Sequence, residues 1–309
     1  MADKSPLFIV NPASGGGRTA RRWPGLAAAI EEAGLTAEAV HTEARGHGTE
    51  LAAQAMKSGR TLLVAVGGDG TTNEVASAVL AAGAGEDVKL ATIGMGTGKD
   101  VAKCLGVGSP RKAISVIAEG FERPVDAGRV ICRDESGESV VRFFLLEASA
   151  GWVPEISGST PKFLKKLGDT APYLITLAVK LVGPLGREFT LTIDGASFDA
   201  RYNSISVHNM ELWGGDMVAA PGALPDDGLF DVIRWGDLGR LAVLRAVQGQ
   251  RQGGTHLEMD GVDRHAARTL ELDAGKRTIV DLDGETSGYL PARITMLEGA
   301  LRFLAPERD

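Results

Sequence analysis

Gly67-Gly68-Asp69-Gly70-Thr71-Thr72-Asn73-Glu74 sets a carboxylate among glycines, immediately after an apolar run. Glycines let a backbone approach a phosphate closely and adopt positive φ. A helix starting near Thr72 would turn its N–H groups and positive dipole end to the same place. Asp69 is then placed to hold a metal ion that bridges phosphates. Asn11-Pro12-Ala13-Ser14-Gly15-Gly16-Gly17 and Gly94-Met95-Gly96-Thr97-Gly98 repeat the pattern after two other apolar runs. One such loop reads most simply as a tight turn. Three at matching strand ends point to a phosphate site, because ligands of open α/β sheets bind there. None ends in Gly-Lys-Ser/Thr, so none is a Walker loop.

Other chemistry-bearing residues have plainer readings. Asp283-Gly284 before Glu285 reads alone as a hairpin turn. Asp226 and Asp231 read as turn residues or as support for a nearby site, and Met210 to Gly215 as a bulged strand end. The histidines, His41, His47, His208, His256 and His265, show no metal-ligand spacing.

The elements that must position these loops alternate. Leu7 to Val10, Thr36 to Val40, Thr61 to Val66 and Leu90 to Ile93 read as strands. Helical patterns follow: Trp23, Leu26, Ala27 and Ile30 on one face, then Glu50 to Met56, then Val75 to Leu80, then Asp100 to Leu105 and Arg111 to Glu119. This alternation predicts a mostly parallel sheet covered by helices. After about Pro124 the pattern changes. Val130 to Cys132 and Val140 to Leu146 flank Glu135-Ser136-Gly137-Glu138, and Phe189 to Ile193 and Phe198 to Val207 flank Asp194-Gly195, a strong turn pair. Phe230 to Ile233, Thr269 to Leu272 and Thr278 to Leu282 add strands. This part reads as β-rich and antiparallel, with one helical insertion over Thr160 to Val182. Pro291 reads as a break before a last apolar stretch, Ile294 to Leu304.

The 309 residues, 44% of them apolar, suffice for two cores, and the net charge of −7 without a dense basic block argues against nucleic acid as a partner. Cys104 and Cys132 are too few for a disulfide framework and fit a reducing, cytoplasmic compartment. Met1 to Pro6 shows no signal-peptide pattern. No uncharged stretch nears the roughly 20 residues of a span, and the longest, Tyr173 to Val182, contains Lys180. Membrane contact is therefore expected to be peripheral.

Taken together, these stretches resemble the diacylglycerol kinase catalytic-domain family, which includes bacterial lipid kinases and the sphingosine and ceramide kinases. The family's NPxSG matches Asn11 to Gly15, and its GGDGTxNEV matches Gly67 to Val75. Its GTGND-A matches Gly96 to Ala102. Its GG-M-x-x-x-P-x-A followed by DDGL matches Gly214-Gly215 through Pro221 and Ala223 to Leu229, and its DGE matches Asp283 to Glu285. The resemblance implies a nucleotide-binding α/β domain, residues 1–124 with 292–309, and a β-sandwich-like antiparallel second domain, residues 125–291. It implies ATP as co-substrate, with contacts from Asn11, Thr42, Gly67, Gly68, Asp69, Gly70, Thr71, Thr72, Asn73 and Thr97. It implies Mg²⁺ on Asp227 and the carbonyls of Leu224 and Leu229, oxygen donors that suit a hard cation. It makes Glu285 the general base, with Asp69 beside it in the catalytic set. The implied partner is a lipid substrate at a membrane surface, with a homodimer left open.

The chain departs from the family in places. Lys99 replaces an Asn, where it either reaches a phosphate or disturbs the pocket. Gly16 replaces a basic residue, Val153 an acid, and Leu146 an Asn. Three readings follow: an ATP-dependent lipid kinase, a soluble-metabolite kinase such as NAD kinase with the same GGDGT signature, and a non-catalytic nucleotide- or lipid-binding relative. Asn11 to Gly15, Asn73 to Val75 and Asp226 to Leu229 favour the first. Asp69, Thr71, Asp227 and Glu285 weigh against the third. Lys162, Lys165 and Lys166 beside Phe163, Leu164 and Leu167 suit a peripheral anchor on anionic lipid. The same segment also fits a helix with an ordinary solvated lysine face.

Overall fold

Leu7-Phe8-Ile9-Val10 is apolar at every position because both sides of this strand are covered, and all four residues are buried. In the computed structural model, which describes residues 5–152 and 183–307, the chain forms two compact units. Residues up to Ala127, with Pro225–Gly228 and Leu297 onwards, form the first; Gly128–Leu224 and Leu229–Met296 form the second.

The first unit is a parallel sheet in the order β2 (Ala39–His41), β1 (Leu7–Val10), β3 (Leu62–Gly67), β4 (Lys89–Gly94) and the end of β16 (Glu285–Leu304). Helices α1 (Ser14–Glu32), α2 (His47–Lys57), α3 (Asp69–Ala81), α4 (Asp100–Cys104) and α5 (Pro110–Glu119) connect the strands. Leu26 and Ile30 of α1, Val75 and Val79 of α3, and Ile114 and Ile117 of α5 are buried with Leu63, Val64, Leu90 and Ile93 of the sheet. Alternation thus gave the parallel sheet expected. The second strand, expected over Thr36 to Val40, runs over Ala39–His41, and α1 starts irregularly. Gly15, Gly16 and Gly17 have φ of 60, 65 and 78°, a left-handed turn that costs other residues energy.

The second unit is antiparallel throughout its described pairings. β5 (Glu122–Arg133), which begins in the first unit, forms the expected hairpin with β6 (Ser139–Phe144). β8 (Arg187–Ile193) and β9 (Ala196–His208) form a second, closed by Asp194 and Gly195 at φ 45 and 87°. Positive φ at both turn residues is the hairpin geometry that Asp-Gly favours. β9 continues to pair with β7 (Glu147–Gly151) and β12 (Phe230–Gly236), and β12 with β13 (Val262–Ala267). β14 (Thr269–Asp273) and β15 (Ile279–Leu282) pair with the long β16. The ring β7–β15–β16–β14–β8–β9 closes around Phe189, Leu191, Ile205, Val207, Leu270, Leu272, Val280 and Ile294, a sandwich-like core. Short β10 (Leu212–Trp213) and β11 (Met217–Val218) make a separate hairpin. Helix α6 (Arg240–Arg251) packs with Ile233, Trp235 and Trp152 in a second cluster. Pro291, read as a break, lies inside β16, and the strand continues through it. The expected helical insertion over Thr160 to Val182 lies outside the described residues.

Candidate functional site

In the first unit, the three glycine-rich loops follow β1, β3 and β4 and meet. The Met95 and Gly96 N–H groups donate to the Gly67 carbonyl at 2.6 and 3.0 Å. A Cβ on Gly96 would lie 2.6 Å from Gly68 Cα, and one on Gly15 would lie 3.0 Å from the Met95 carbonyl oxygen. Close loop packing therefore demands several of these glycines, before any ligand is considered. Gly16 differs, since nothing lies within 4 Å of the Cβ it lacks.

The polar residues of the same loops are largely engaged with one another. Asn11 Nδ2 donates to Thr71 Oγ1 at 3.0 Å, while its Oδ1 accepts from the Ala13 N–H at 3.1 Å. Two of the expected nucleotide contacts, just after β1 and within α3, are thus tied together. Asp69 accepts from the Asp100 and Val101 N–H groups at 3.1 and 3.0 Å, so its carboxylate caps α4 as well as opening α3. Thr72 Oγ1 meets Thr92 Oγ1 at 2.8 Å, and Asn73 Oδ1 accepts from Ser77 at 2.9 Å. Thr42 is buried, with its N–H on the Val10 carbonyl. Thr97 stands exposed at the tip of its loop. Glu74, within the most specific motif, accepts from the Gly46 and Gly48 N–H groups at 2.7 and 2.9 Å and fixes the start of α2. Lys99 donates to the Gly108 carbonyl at 3.3 Å, which ties its side chain to the loop after α4.

The loops together present the N-terminus of α3, a 13-residue helix, beside the open Gly15–Gly17 turn. That arrangement suits an anion. A hollow of about 960 Å³ between α1 and α5, with Arg21, Leu26 and Ile114 in its lining, shares Met95 with the third loop; Asn11, Thr71 and Thr97 do not line it.

The acidic loop is built around a residue that the sequence motifs did not single out. Asp126 accepts from the Gly228 and Gly299 N–H groups at 2.7 and 2.6 Å, and its own N–H donates to Pro225. Burial pushes its carboxyl up, these two bonds oppose the rise, and neighbouring Asp227 and Asp226 add to it. Arg123 pairs with Asp226 at 3.1 Å. Asp126 is the pin of the loop, and Asp227 lies on its exposed side. A carboxylate and backbone carbonyls are the donor types that suit a hard divalent cation. Among the described residues no cluster of three His, Cys, Asp or Glu side chains could hold a metal, so a cation here needs carbonyl donors as well. The only sign of Asp126 in the sequence was an acid in an apolar strand.

In the second unit, Asp283 and Gly284 form the turn between β15 and β16, at φ 52 and 81°. The Asp283 carboxylate accepts from three successive amides, Leu145, Leu146 and Glu147, at 3.0, 2.8 and 3.0 Å. Asp194 uses the same device, accepting from the Arg268 and Thr269 N–H groups at 3.1 and 2.8 Å. Asp283 is therefore a turn anchor. Glu285, the residue after that turn, is exposed. Val153 and the lysines at 162, 165 and 166 lie outside the described residues.

The chain is similar to known proteins in sequence and fold. Residues 5–130 match the diacylglycerol kinase catalytic domain, and residues 164–305 match the YegS C-terminal NAD kinase beta sandwich-like domain. Over 304 residues the chain is 29% identical to a diacylglycerol kinase of Staphylococcus aureus (strain MRSA252), covering 98% of this chain and 93% of that one. Its fold is similar to that of a diacylglycerol kinase from Bacillus anthracis str. Sterne, with TM-score 0.72 and 20% identity, covering 98% of this chain and 97% of that one. Yeast NADH kinase complexed with NADH is more distant, with TM-score 0.52 and 9% identity, covering 97% and 82%. At these identities the structural likenesses concern the fold alone.

Proposed function

We propose that the chain, whose residues 5–130 match the diacylglycerol kinase catalytic domain and residues 164–305 the YegS C-terminal domain, is an ATP-dependent lipid kinase with diacylglycerol or a related membrane lipid as acceptor. The observation that carries this reading is the near end-to-end match to relatives named diacylglycerol kinase, combined with three glycine loops converging on the N-terminus of α3. The loops around Asn11, Gly67 to Asn73 and Thr97 hold the phosphates of ATP, with Thr42 further along the nucleotide. Asp69 sets the relation of α3 to α4 and completes the phosphate site. Glu285 takes the proton of the acceptor hydroxyl as its oxygen attacks the γ-phosphorus and ADP leaves. Asp227, with the Leu224 and Leu229 carbonyls, is the Mg²⁺ site the loop supports. Mg²⁺ would supply charge neutralisation and hold the loop rigid.

No described helix is long and apolar enough to cross a membrane, and peripheral contact with lipid is part of the proposal. Cytoplasmic placement and a homodimer belong to the same proposal. A soluble-metabolite kinase such as NAD kinase is the second reading, on the GGDGT stretch of Gly67 to Thr71. ATP consumption measured with diacylglycerol vesicles, with NAD and with no acceptor separates the two. Consumption that depends on NAD, or that ignores added lipid, would remove the lipid-kinase reading.

A further inference from the structure

β7 lies between β9 and β15, and its residues alternate sharply. Ala148 and Ala150 pair in register with Val207 and Ile205, and with Leu282 and Val280, facing the apolar core. The opposite face is polar. Glu147 pairs with His208, and Ser149 pairs with Ser206 on one side and Asp281 on the other. All are buried, with Glu147 at 1%, Asp281 at 2% and His208 at 0% exposure. Two carboxyl groups thus share a closed space.

As carboxylates they are poorly served. Glu147 Oε1 and Oε2 and Asp281 Oδ2 have no hydrogen-bond donor in good geometry. The Ser149 hydroxyl and the Gly284 N–H act on Glu147, and the Gly284 N–H and the Glu147 carboxyl act on Asp281. Among the described residues the other titratable groups acting here are Asp283 in the turn, Glu285 on β16 and His208 on β9, and none of these three supplies a positive charge. Burial holds the His208 imidazole neutral, with its pKa lowered to about 3, and its Nε2 meets Ser206 Oγ at 2.9 Å. One proton resolves the shortage, because a carboxylic acid donates where a carboxylate cannot. Burial first, and acidic neighbours second, raise both groups, Asp281 to about 7.

We propose that Glu147 and Asp281 share one proton and, with the Gly284 N–H between them, fix the turn that presents Glu285. Glu147 is then a positioning residue for the phosphoryl transfer proposed above, on which this inference rests. While the proton is held, the pair carries one charge and draws Gly284 into place. When it leaves, two adjacent charges in a closed space repel, and the turn shifts with Glu285 on it. The backbone of Glu147 supports the same turn, since its N–H binds the Asp283 carboxylate and its carbonyl accepts from the Asp283 N–H at 3.0 Å.

The pair also gives stability a sign. Groups with raised folded pKa values bind protons in the folded state that the unfolded chain releases. Their contribution is complete below the unfolded carboxyl values and is lost as pH rises through the folded ones, between about 4 and 7 for Asp281, with Glu147 also raised well above the ordinary range.

The test uses the full chain with Glu147→Gln, Glu147→Ala and Asp281→Asn, comparing pH–rate profiles on diacylglycerol vesicles and melting temperature against pH. Wild-type turnover is expected to fall about tenfold per pH unit above neutrality. Glu147→Gln, which keeps a donor and cannot ionise, is expected to retain activity near pH 6.5 and to lose that alkaline limb. Glu147→Ala should be weak throughout. Melting temperature should fall from pH 5 to 8 in wild type and much less in Glu147→Gln. If Glu147→Gln does not fold, Asp281→Asn takes its place with the same expectations. Profiles and melting curves that follow wild type in both amide variants would overturn the proposal. Absence of lipid phosphorylation by wild type at every pH would instead sink the kinase reading, and the melting series would still judge the shared proton.

Discussion

Replacing Asp283 with alanine separates anchoring from catalysis, because the chain carries a matched control. The Asp283 carboxylate receives three part-buried amide N–H groups. Hydrogen bonds to a charged group contribute about 1.5–3 kcal/mol each, and partial solvent access favours the low end. Alanine at φ 52° adds about 1 kcal/mol of backbone strain. Allowing for non-additivity, Asp283→Ala should cost about 3–5 kcal/mol, a fall of roughly 10 °C in melting temperature. Asp194→Ala removes the same kind of anchor, at φ 45°, in a more exposed turn, and should cost about 1–3 kcal/mol. The variants should part in turnover measured well below both melting points. Asp283→Ala frees the turn bearing Glu285 and should lose on the order of 10²-fold, as expected when a reacting group is misplaced by an ångström. Asp194→Ala should keep wild-type turnover. Equal turnover in the two variants would refute the idea that the Asp283 turn aims a catalytic group.

Asp69→Asn should lower turnover by about 10²–10³-fold through the phosphate site. It should also cost about 1 kcal/mol, because an amide oxygen replaces only part of the cap on α4; an unchanged melting temperature would remove the capping role. Asp227→Ala should abolish Mg²⁺-dependent stabilisation, and a chelator that leaves the wild-type melting temperature unmoved would remove the metal from this loop. Gly96→Ala should disrupt nucleotide binding and stability together, because its Cβ meets the Gly68 backbone at 2.6 Å; normal ATP affinity in this variant would show that the two loops can part. Hydrogen bonds lower the Asp194 carboxyl, so its contribution is present above about pH 4 and is lost below it; Asp194→Ala should therefore flatten the acid side of the stability curve, and an unchanged acid side would contradict that bond network.

Much of the fold was legible because its signals are local. The apolar runs at Leu7, Thr61 and Leu90, each closed by glycine or Asn-Pro, announce buried parallel strands, and Asp194-Gly195 announces its hairpin. Pro291 misled, since a strand can carry proline wherever no ladder donor is required. The glycine motifs were legible as a site but not as a packing device. The Gly68–Gly96 approach and the Asp69 cap on α4 join residues about 30 positions apart, which spacing alone cannot show. Asp126 and the Glu147–Asp281 pair were hidden for a related reason. Each is an acid with no motif around it, and its partners lie far off in the sequence: the Gly228 and Gly299 N–H groups for Asp126, and the other carboxyl for Glu147 and Asp281. The alternation Glu-Ala-Ser-Ala-Gly in β7 was the available trace of a polar buried face.

Transfer of the labelled γ-phosphoryl group of ATP to diacylglycerol in mixed vesicles tests the central claim most directly, with wild type and Glu285→Gln assayed side by side. Because Glu285 is exposed, the variant should melt like wild type and bind ATP equally well. The account predicts label in the lipid phase with wild type and a loss of at least 10²-fold with Glu285→Gln. Label in the lipid at equal rates with both proteins, or label confined to inorganic phosphate and a soluble acceptor, would contradict it.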